Sequence, residues 1–319
     1  MKPPRLQTGD EIRVIAPSSS FLRLSEPGIE LAKKRLTDLG FKVTFSEHIY
    51  EQDELGSSSI MSRVKDLHEA FADENVKGIL SAIGGFNSNE LLPYLDFELI
   101  KRHPKIFCGY SDITALCNAI SAKTKILTYV GPHFSSFQMD ELQDYQTENF
   151  LHAVTDEKTF EVTASDFWSQ DEWYLPNSDR NLHANEWKIY NHSEPVTGTC
   201  FGGNLGTFQL LLGTRFLPKP DQSILFVENA EEDDYHDFAR GLSAVLQVIE
   251  HPKALLIGRF PKETEMTEER LLAILAKYPL LREIPVIYNM NFGHTQPIFT
   301  IPIGDQATVD TEQKKITFF

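Results

Sequence analysis

In the first half of the chain, apolar residues fall alternately into short unbroken runs and into helical spacings, the pattern of β-α repeats. Glu11-Ile-Arg-Val-Ile-Ala reads as a strand. Ile29, Ala32, Leu36 and Leu39 then line one face of a helix that Gly40 stops. Phe41 to Phe45 predicts a second strand, Ile60, Val64, Leu67 and Phe71 a second amphipathic helix, and Val76 to Ile83 an apolar strand ending in Gly84-Gly85. Lys105 to Gly109, a helix after Ser111, and Ile126 to Val130 continue the series. Such alternation predicts a parallel sheet with helices on both faces, and ligands bound beyond the carboxyl ends of its strands. Three turns fall at such ends: Pro17-Ser-Ser-Ser20, Gly84-Gly-Phe-Asn-Ser-Asn89 and Gly109-Tyr-Ser-Asp112.

From about residue 140 to 195 the periodicity gives way to polar, aromatic-rich sequence with Trp168, Trp173, Pro176, Asn177, Asp179, Asn185 and Trp187, which reads as a linker plus a long loop. Exposed tryptophans there would offer stacking surfaces; the alternative is tryptophan packed into a domain interface. Regular patterning resumes with Gly198-Thr-Cys-Phe-Gly-Gly-Asn204, a helix from Leu205, the apolar run Ser223 to Glu228, a helix from about Phe238 to Ile249, Ala254 to Ile257, a helix from Glu268 to Lys277, and Pro285 to Asn291. The organisation expected is an α/β protein with a nucleophile-bearing domain over 1–150, a linker and substrate loop over 151–195, and a smaller α+β domain over 196–319.

Composition narrows the function classes. A chain of 319 residues, 41% hydrophobic, buries a full core and suits two domains. A net charge of −16 argues against a nucleic-acid partner, because phosphate backbones are bound through clustered Lys and Arg. Cys108, Cys117 and Cys200 are odd in number and lack C-x-x-C spacing, so neither a disulfide framework nor a zinc site is supported. The start of the chain lacks an apolar signal core and no stretch approaches a membrane span, so a cytoplasmic setting without membrane contact is expected. Neither G-x-G-x-x-G nor G-x-x-x-x-G-K-[ST] occurs, and no nucleotide cofactor or metal is expected.

Ser111 is the first candidate for chemistry. A hydroxyl on a strand-to-helix turn projects from the sheet edge, with the amides opening the helix beside it. Ile113 breaks the G-x-S-x-G of the α/β-hydrolases, and a serine there also suits a helix N-cap. A nucleophile needs a base and a group to orient that base. His294 lies directly after an apolar strand, beside Gly293, and Glu228 closes the apolar run Ile-Leu-Phe-Val; each also has a bland reading, as a surface histidine and as a salt-bridging glutamate. Gly84-Gly85 and the amide of Asp112 could form an oxyanion hole, or the glycines could serve a plain turn. Pro17-Ser-Ser-Ser20 carries a weak phosphate-cradle signal, and Cys108 is an alternative nucleophile inside an apolar strand.

These motifs, in order, resemble the LD-carboxypeptidase family of serine peptidases, including its microcin C immunity (MccF-like) branch. The resemblance runs from Gly9-Asp10 to Ile303-Gly304 through Ile15-Ala-Pro-Ser-Ser, Gly84-Gly-Phe-Asn-Ser-Asn-Glu-Leu-Leu-Pro-Tyr-Leu-Asp96, Gly109-Tyr-Ser-Asp-Ile-Thr, Gly131-Pro, Gly202-Gly-Asn-Leu, Glu228-Asn and Gly293-His-Thr. It implies a Ser111, Glu228, His294 triad, oxyanion donors from the Gly85 and Asp112 amides, and a flavodoxin-like first domain with the site in the cleft against the second. It also implies a metal-free homodimer that cleaves an amide bond near a free carboxylate. Gly84, Asn204, Trp173 and Glu232 are the substrate-binding candidates. Gly-Gly-Phe-Asn-Ser-Asn and the stretch Phe167 to Trp173 resemble the MccF-like branch, which hydrolyses peptidyl and aminoacyl nucleotide antibiotics. Glu232, standing where that branch has a substrate-binding lysine, instead matches the murein LD-carboxypeptidases, which release D-alanine from tetrapeptides. A charge reversal there would repel a phosphate or sulfamate. The first substrate expectation is the nucleotide conjugate and the alternative is murein. A noncatalytic binding protein with the same cleft is the reading of another class, against which the three triad positions argue.

Overall fold

The computed structural model describes residues 1–155, 159–175, 180–219 and 222–319. Its first sheet is built from β1 (Glu11–Ile15), β2 (Lys42–Phe45), β3 (Val76–Ser81), β4 (Ile106–Cys108) and β5 (Thr128–Val130). These five strands are mutually parallel in the order β5-β4-β3-β1-β2. The crossovers are α1 (Glu26–Asp38), α2 (Ile60–Ala72), α3 (Phe97–Arg102) and α4 (Thr114–Thr124). The first two repeats form where the periodicity put them because their helices bury the stripes read from sequence, Ala32 and Leu36 in α1 and Val64, Leu67 and Phe71 in α2.

The polar stretch after residue 140 is a correction to the linker reading. It contains α5 (Gln143–Thr155), then β6 (Phe160–Val162), the two-residue strands β7 (Phe167–Trp168) and β8 (His183–Ala184), and β9 (Lys188–Asn191). Helix α5 escapes a hydrophobicity reading because amides share its buried face: Gln146 and Asn149 are buried beside Phe150, Ala153 and Val154, and the Gln146 side chain donates to the Ser136 carbonyl at 3.0 Å. Pro176, Asn177 and Asp179 lie outside the described residues.

The second sheet adds β10 (Val196–Asn204), β11 (Ser223–Glu228), β12 (Ala254–Gly258) and β13 (Val286–Met290), a parallel centre with α6 (Leu205–Phe208), α7 (Tyr235–Leu246) and α8 (Glu268–Leu275) between its strands. Strands β11 and β12 are buried along their whole length, which explains their unbroken apolar runs. After β14 (Ile301–Ile303), the strands β15 (Gln306–Asp310) and β16 (Lys315–Phe318) extend one flank antiparallel and join β6, while β9 closes the other. Strand β14 itself returns to the first sheet, antiparallel to β5. Boundaries at 150 and 196 therefore cut across a chain that exchanges strands: β6 and β9 precede the second unit yet belong to its sheet, and β14 follows it yet belongs to the first.

The two sheets are locked at α4, the helix behind Ser111. Asn118 exchanges two bonds with the Gly202 backbone, at 2.8 and 3.0 Å, and the Asn204 amide donates to Thr114 Oγ1 at 3.0 Å. Gly203, at φ 130°, lets β10 come this close, since a Cβ there would sit 2.5 Å from Thr114 Oγ1. Asn204 is in register with Glu228 on the neighbouring strand, so this contact sets the helix that follows Ser111 against the strand that ends in Glu228.

Candidate active site

Ser111 follows β4 on a one-turn 3₁₀ helix, Ser111–Ile113, that feeds α4. Its φ is +55°, a left-handed conformation that a serine adopts only when its surroundings hold it there. The capping alternative does not hold: no side chain caps either helix start, and the Ser111 hydroxyl instead faces His294, 3.0 Å from Nε2. On the other side of the ring, His294 Nδ1 lies 2.7 Å from Glu228 Oε2. Glu228 is buried at the end of β11, and His294 sits in the loop between β13 and β14 with 12% of its side chain exposed. Serine and imidazole thus come from different sheets.

Burial works against charge on His294, but the adjacent Glu228 carboxylate, by charge and by hydrogen bond, outweighs it, helped by Glu231 and Glu232; the imidazole is held up at about 9. The site therefore stabilises an imidazolium at this position. The loop carrying His294 is anchored at Asn291, whose side-chain oxygen accepts from the Trp187 indole at 2.9 Å and from Asn185 at 2.7 Å. Trp187 is fully buried, a packed tryptophan and not a stacking surface.

The Gly85 and Asp112 amides donate to no group among the described residues. Gly84 lies against Ser111: a Cβ there would be 3.1 Å from its Oγ. Gly85, at φ 154°, has no room for a side chain, since a Cβ would collide with the Ser18 hydroxyl and stand 2.6 Å from that of Ser19. The serines after β1 wall this loop. Ser18 donates to the Asp112 carboxylate, the Ser19 amide donates to the Gly84 carbonyl at 3.1 Å, and Ser20 caps the following turn. Asp112 Oδ2 also accepts from the Ser88 amide at 2.8 Å, so one buried carboxylate ties together the exits of β1, β3 and β4. The Asp112 side chain, unlike its amide, is announced in the sequence only by its partners, the serines at 18 and 88.

The substrate candidates are spread more widely. The Asn204 side-chain oxygen caps α6, accepting from the Thr207 amide at 2.9 Å. Glu232 is exposed and acts on His294 through its charge. Trp173, half-buried, has its ring against that of Tyr174 and with Tyr174 and Leu175 lines a small pocket bordered by Pro27 and Leu31 of α1 and by Gln138. Trp168 lies over the guanidinium of Arg259, 4.2 Å from its ring centre. A groove of about 440 Å³ between α5 and residues 163–167 contains none of the triad candidates. Cys108 is fully buried and burial holds its thiol well above its usual pKa, which removes it as a nucleophile. No helix of the described residues is long and apolar enough to cross a membrane.

Known proteins resemble this chain over nearly its full length. Residues 12–131 match the model of the LD-carboxypeptidase N-terminal domain, and residues 197–309 that of the LD-carboxypeptidase C-terminal domain. The chain is 46% identical to the Bacillus subtilis (strain 168) protein "Putative carboxypeptidase YocD", over 96% of this chain and 95% of that one. The crystal structure of an MccF-like protein from Bacillus anthracis strain Ames superposes with a TM-score of 0.97 at 48% identity, covering 100% of this chain and 99% of the other. The structure of MccF in complex with glutamyl sulfamoyl guanosine gives 0.89 at 28% identity, over 99% and 97%.

Proposed function

The chain belongs to the LD-carboxypeptidase family and is a serine-type carboxypeptidase; we propose that Ser111, His294 and Glu228 are its nucleophile, general base and orienting acid, and that its substrates are peptidyl or aminoacyl nucleotides. The observation that carries the catalytic reading is the unbroken chain of contacts from Ser111 Oγ to His294 Nε2 at 3.0 Å and from Nδ1 to Glu228 at 2.7 Å.

In this mechanism His294 removes the Ser111 proton as Oγ attacks the scissile carbonyl carbon. The carbonyl oxygen becomes an oxyanion and takes hydrogen bonds from the Gly85 and Asp112 amides; losing one such donor typically costs about 100-fold or more in rate. The imidazolium, stabilised by Glu228, protonates the leaving nitrogen as the C–N bond breaks, leaving an acyl ester on Ser111. Water, deprotonated by His294, then attacks that ester and frees the serine. No step calls on a metal or cofactor.

The nucleotide substrate is supported by likeness to MccF along nearly the whole chain and by the loop bearing Trp173, which with Asn204 and Gly84 would border the substrate. One observation favours murein tetrapeptides instead: Glu231 and Glu232 put negative charge beside His294, where a phosphate or sulfamate would be repelled. Purified enzyme offered a murein tetrapeptide and an aminoacyl-sulfamoyl adenosine separates the two. Release of D-alanine alone rejects the nucleotide reading, and an adenosine-containing product alone rejects murein. The same reading has the enzyme act as a cytoplasmic homodimer, testable by light scattering and cell fractionation.

A further inference from the structure

His133, on the loop after β5, takes no part in the mechanism above, yet it is 2% exposed and its ring lies against both halves of the catalytic apparatus. The ring stacks on Tyr110, the residue before the nucleophile, at 4.3 Å and 28°, and Tyr110 lies in turn 5.4 Å from the His294 ring. Its Nδ1 is 2.6 Å from Ser81 Oγ, at the last residue of β3, where the chain leaves for Gly84-Gly85. The backbone repeats that link: the Phe134 amide donates to the Ser81 carbonyl at 2.8 Å and the Ser135 amide to Ala82 at 3.1 Å.

Two glycines are shaped to this Ser81–His133 pair. At Gly109, where the nucleophile's turn begins, a Cβ would collide with Ser81 Oγ and stand 3.2 Å from His133 Nδ1. At Gly84 a Cβ would stand 3.4 Å from His133 Nε2 on one side and 3.1 Å from Ser111 Oγ on the other. Nε2 is buried and has no hydrogen-bond partner among the described residues. It neighbours the Gly84 position. Burial and the positive charge of His294 both hold this imidazole down, at about 3, so it is neutral throughout turnover and adds no second cation behind Tyr110.

Resting on the serine-hydrolase reading of Ser111, we propose that His133 is a positioning residue: with Ser81 it forms the surface that sets the strained Ser111 turn and the Gly84-Gly85 oxyanion loop at a fixed distance from each other. A left-handed serine at φ +55° persists only where its surroundings over-determine it, and His133 joins β3, β4 and the loop after β5 at that point.

The test compares His133→Ala, His133→Phe and Ser81→Ala with wild type in kcat, KM and the rate at which a fluorophosphonate labels Ser111. Misplacing reacting groups by about 1 Å costs on the order of 100-fold. His133→Ala should therefore lose roughly 10- to 100-fold in both kcat and labelling rate with KM within about twofold. His133→Phe, which keeps the stack on Tyr110, should recover part of that loss, and Ser81→Ala should lose less than His133→Ala. Folded His133→Ala with kcat and labelling within about threefold of wild type overturns the proposal, as does a raised KM at unchanged kcat, which would mark a binding role. Should His133→Ala fail to fold, His133→Phe and Ser81→Ala decide it: both at wild-type rates overturn it. Wild-type labelling elsewhere than Ser111, or turnover in Ser111→Ala, would instead bring down the hydrolase reading, an outcome distinct from normal Ser111 labelling that is indifferent to His133.

Discussion

Raising the pH should activate this enzyme steeply, because the base must be neutral to take the serine proton and Glu228 holds the His294 imidazole up at about 9. On the acid side of that midpoint the neutral fraction grows about tenfold per pH unit, so that only about 1% is neutral at about pH 7. Between about pH 6.5 and about pH 8.5, kcat/KM should rise roughly 80-fold; a histidine at its ordinary value would give about twofold over the same interval. The rate of fluorophosphonate labelling of Ser111, measured at constant ionic strength, reports the same ionisation without a titrating substrate. Stability has the opposite trend. Because the folded-state value lies above the ordinary 6.5, the folded chain binds the extra proton, and its stabilisation is complete below 6.5 and lost as pH rises through about 9. The size is on the order of 3 kcal/mol. His133 runs the other way: its value lies below that of the unfolded chain, so stability falls as pH drops below 6.5 toward about 3. Urea midpoints should therefore decline on both sides of about pH 6.5. A labelling profile that levels off near pH 6.5 would falsify the argument, since it would mean that the 2.7 Å contact with Glu228 does not govern the base.

Ser111→Ala should abolish hydrolysis without loss of thermal stability, while Ser111→Gly, equally inactive, should be more stable by about 1 kcal/mol in urea titrations because glycine adopts the left-handed turn without strain. Gly85→Ala would drive a methyl group into Ser18 and Ser19 and displace an oxyanion donor; kcat should drop by about 100-fold or more, and a variant near wild-type rate would remove Gly85 from the oxyanion hole. Neutralising Glu231 and Glu232 together to Gln should move the activity midpoint to lower pH and raise turnover near neutrality by about two- to threefold, an effect that salt should diminish. A murein substrate should lose nothing from that change if the rim charges only repel phosphate.

The alternation of apolar runs and helical stripes was enough to read the parallel first sheet, because α1 and α2 each bury a stripe of their own and β3, β4 and β5 are buried along nearly their whole length. The turns that carry Ser111, Gly84-Gly85 and His294 were legible for a related reason: strand ends marked by glycine are local signals. Helix α5 was not, since the amides Gln146 and Asn149 occupy its inner face; Gln146 finds its partner, the Ser136 carbonyl, only once the chain is packed, while Asn149 turns back to its own helix at Tyr145. Strand β14 was not either, because nothing local in Ile301–Ile303 says which of two sheets it joins.

Sequence by itself therefore determined which side chains could do chemistry here: a hydroxyl, an imidazole and a carboxylate, each at the end of an apolar run. Tertiary structure alone decided that they meet, with His294 reaching 3.0 Å from a serine 183 positions away. The physical reason is that the distance depends on how two sheets dock, through Asn118, Thr114 and a glycine strand that tolerates their approach. It also decided which buried partners hold the site in place. Ser18, Asp112, Ser81 and His133 have no periodicity to announce them; their roles arise from burial, which makes each unpaired polar group costly and so fixes its neighbours.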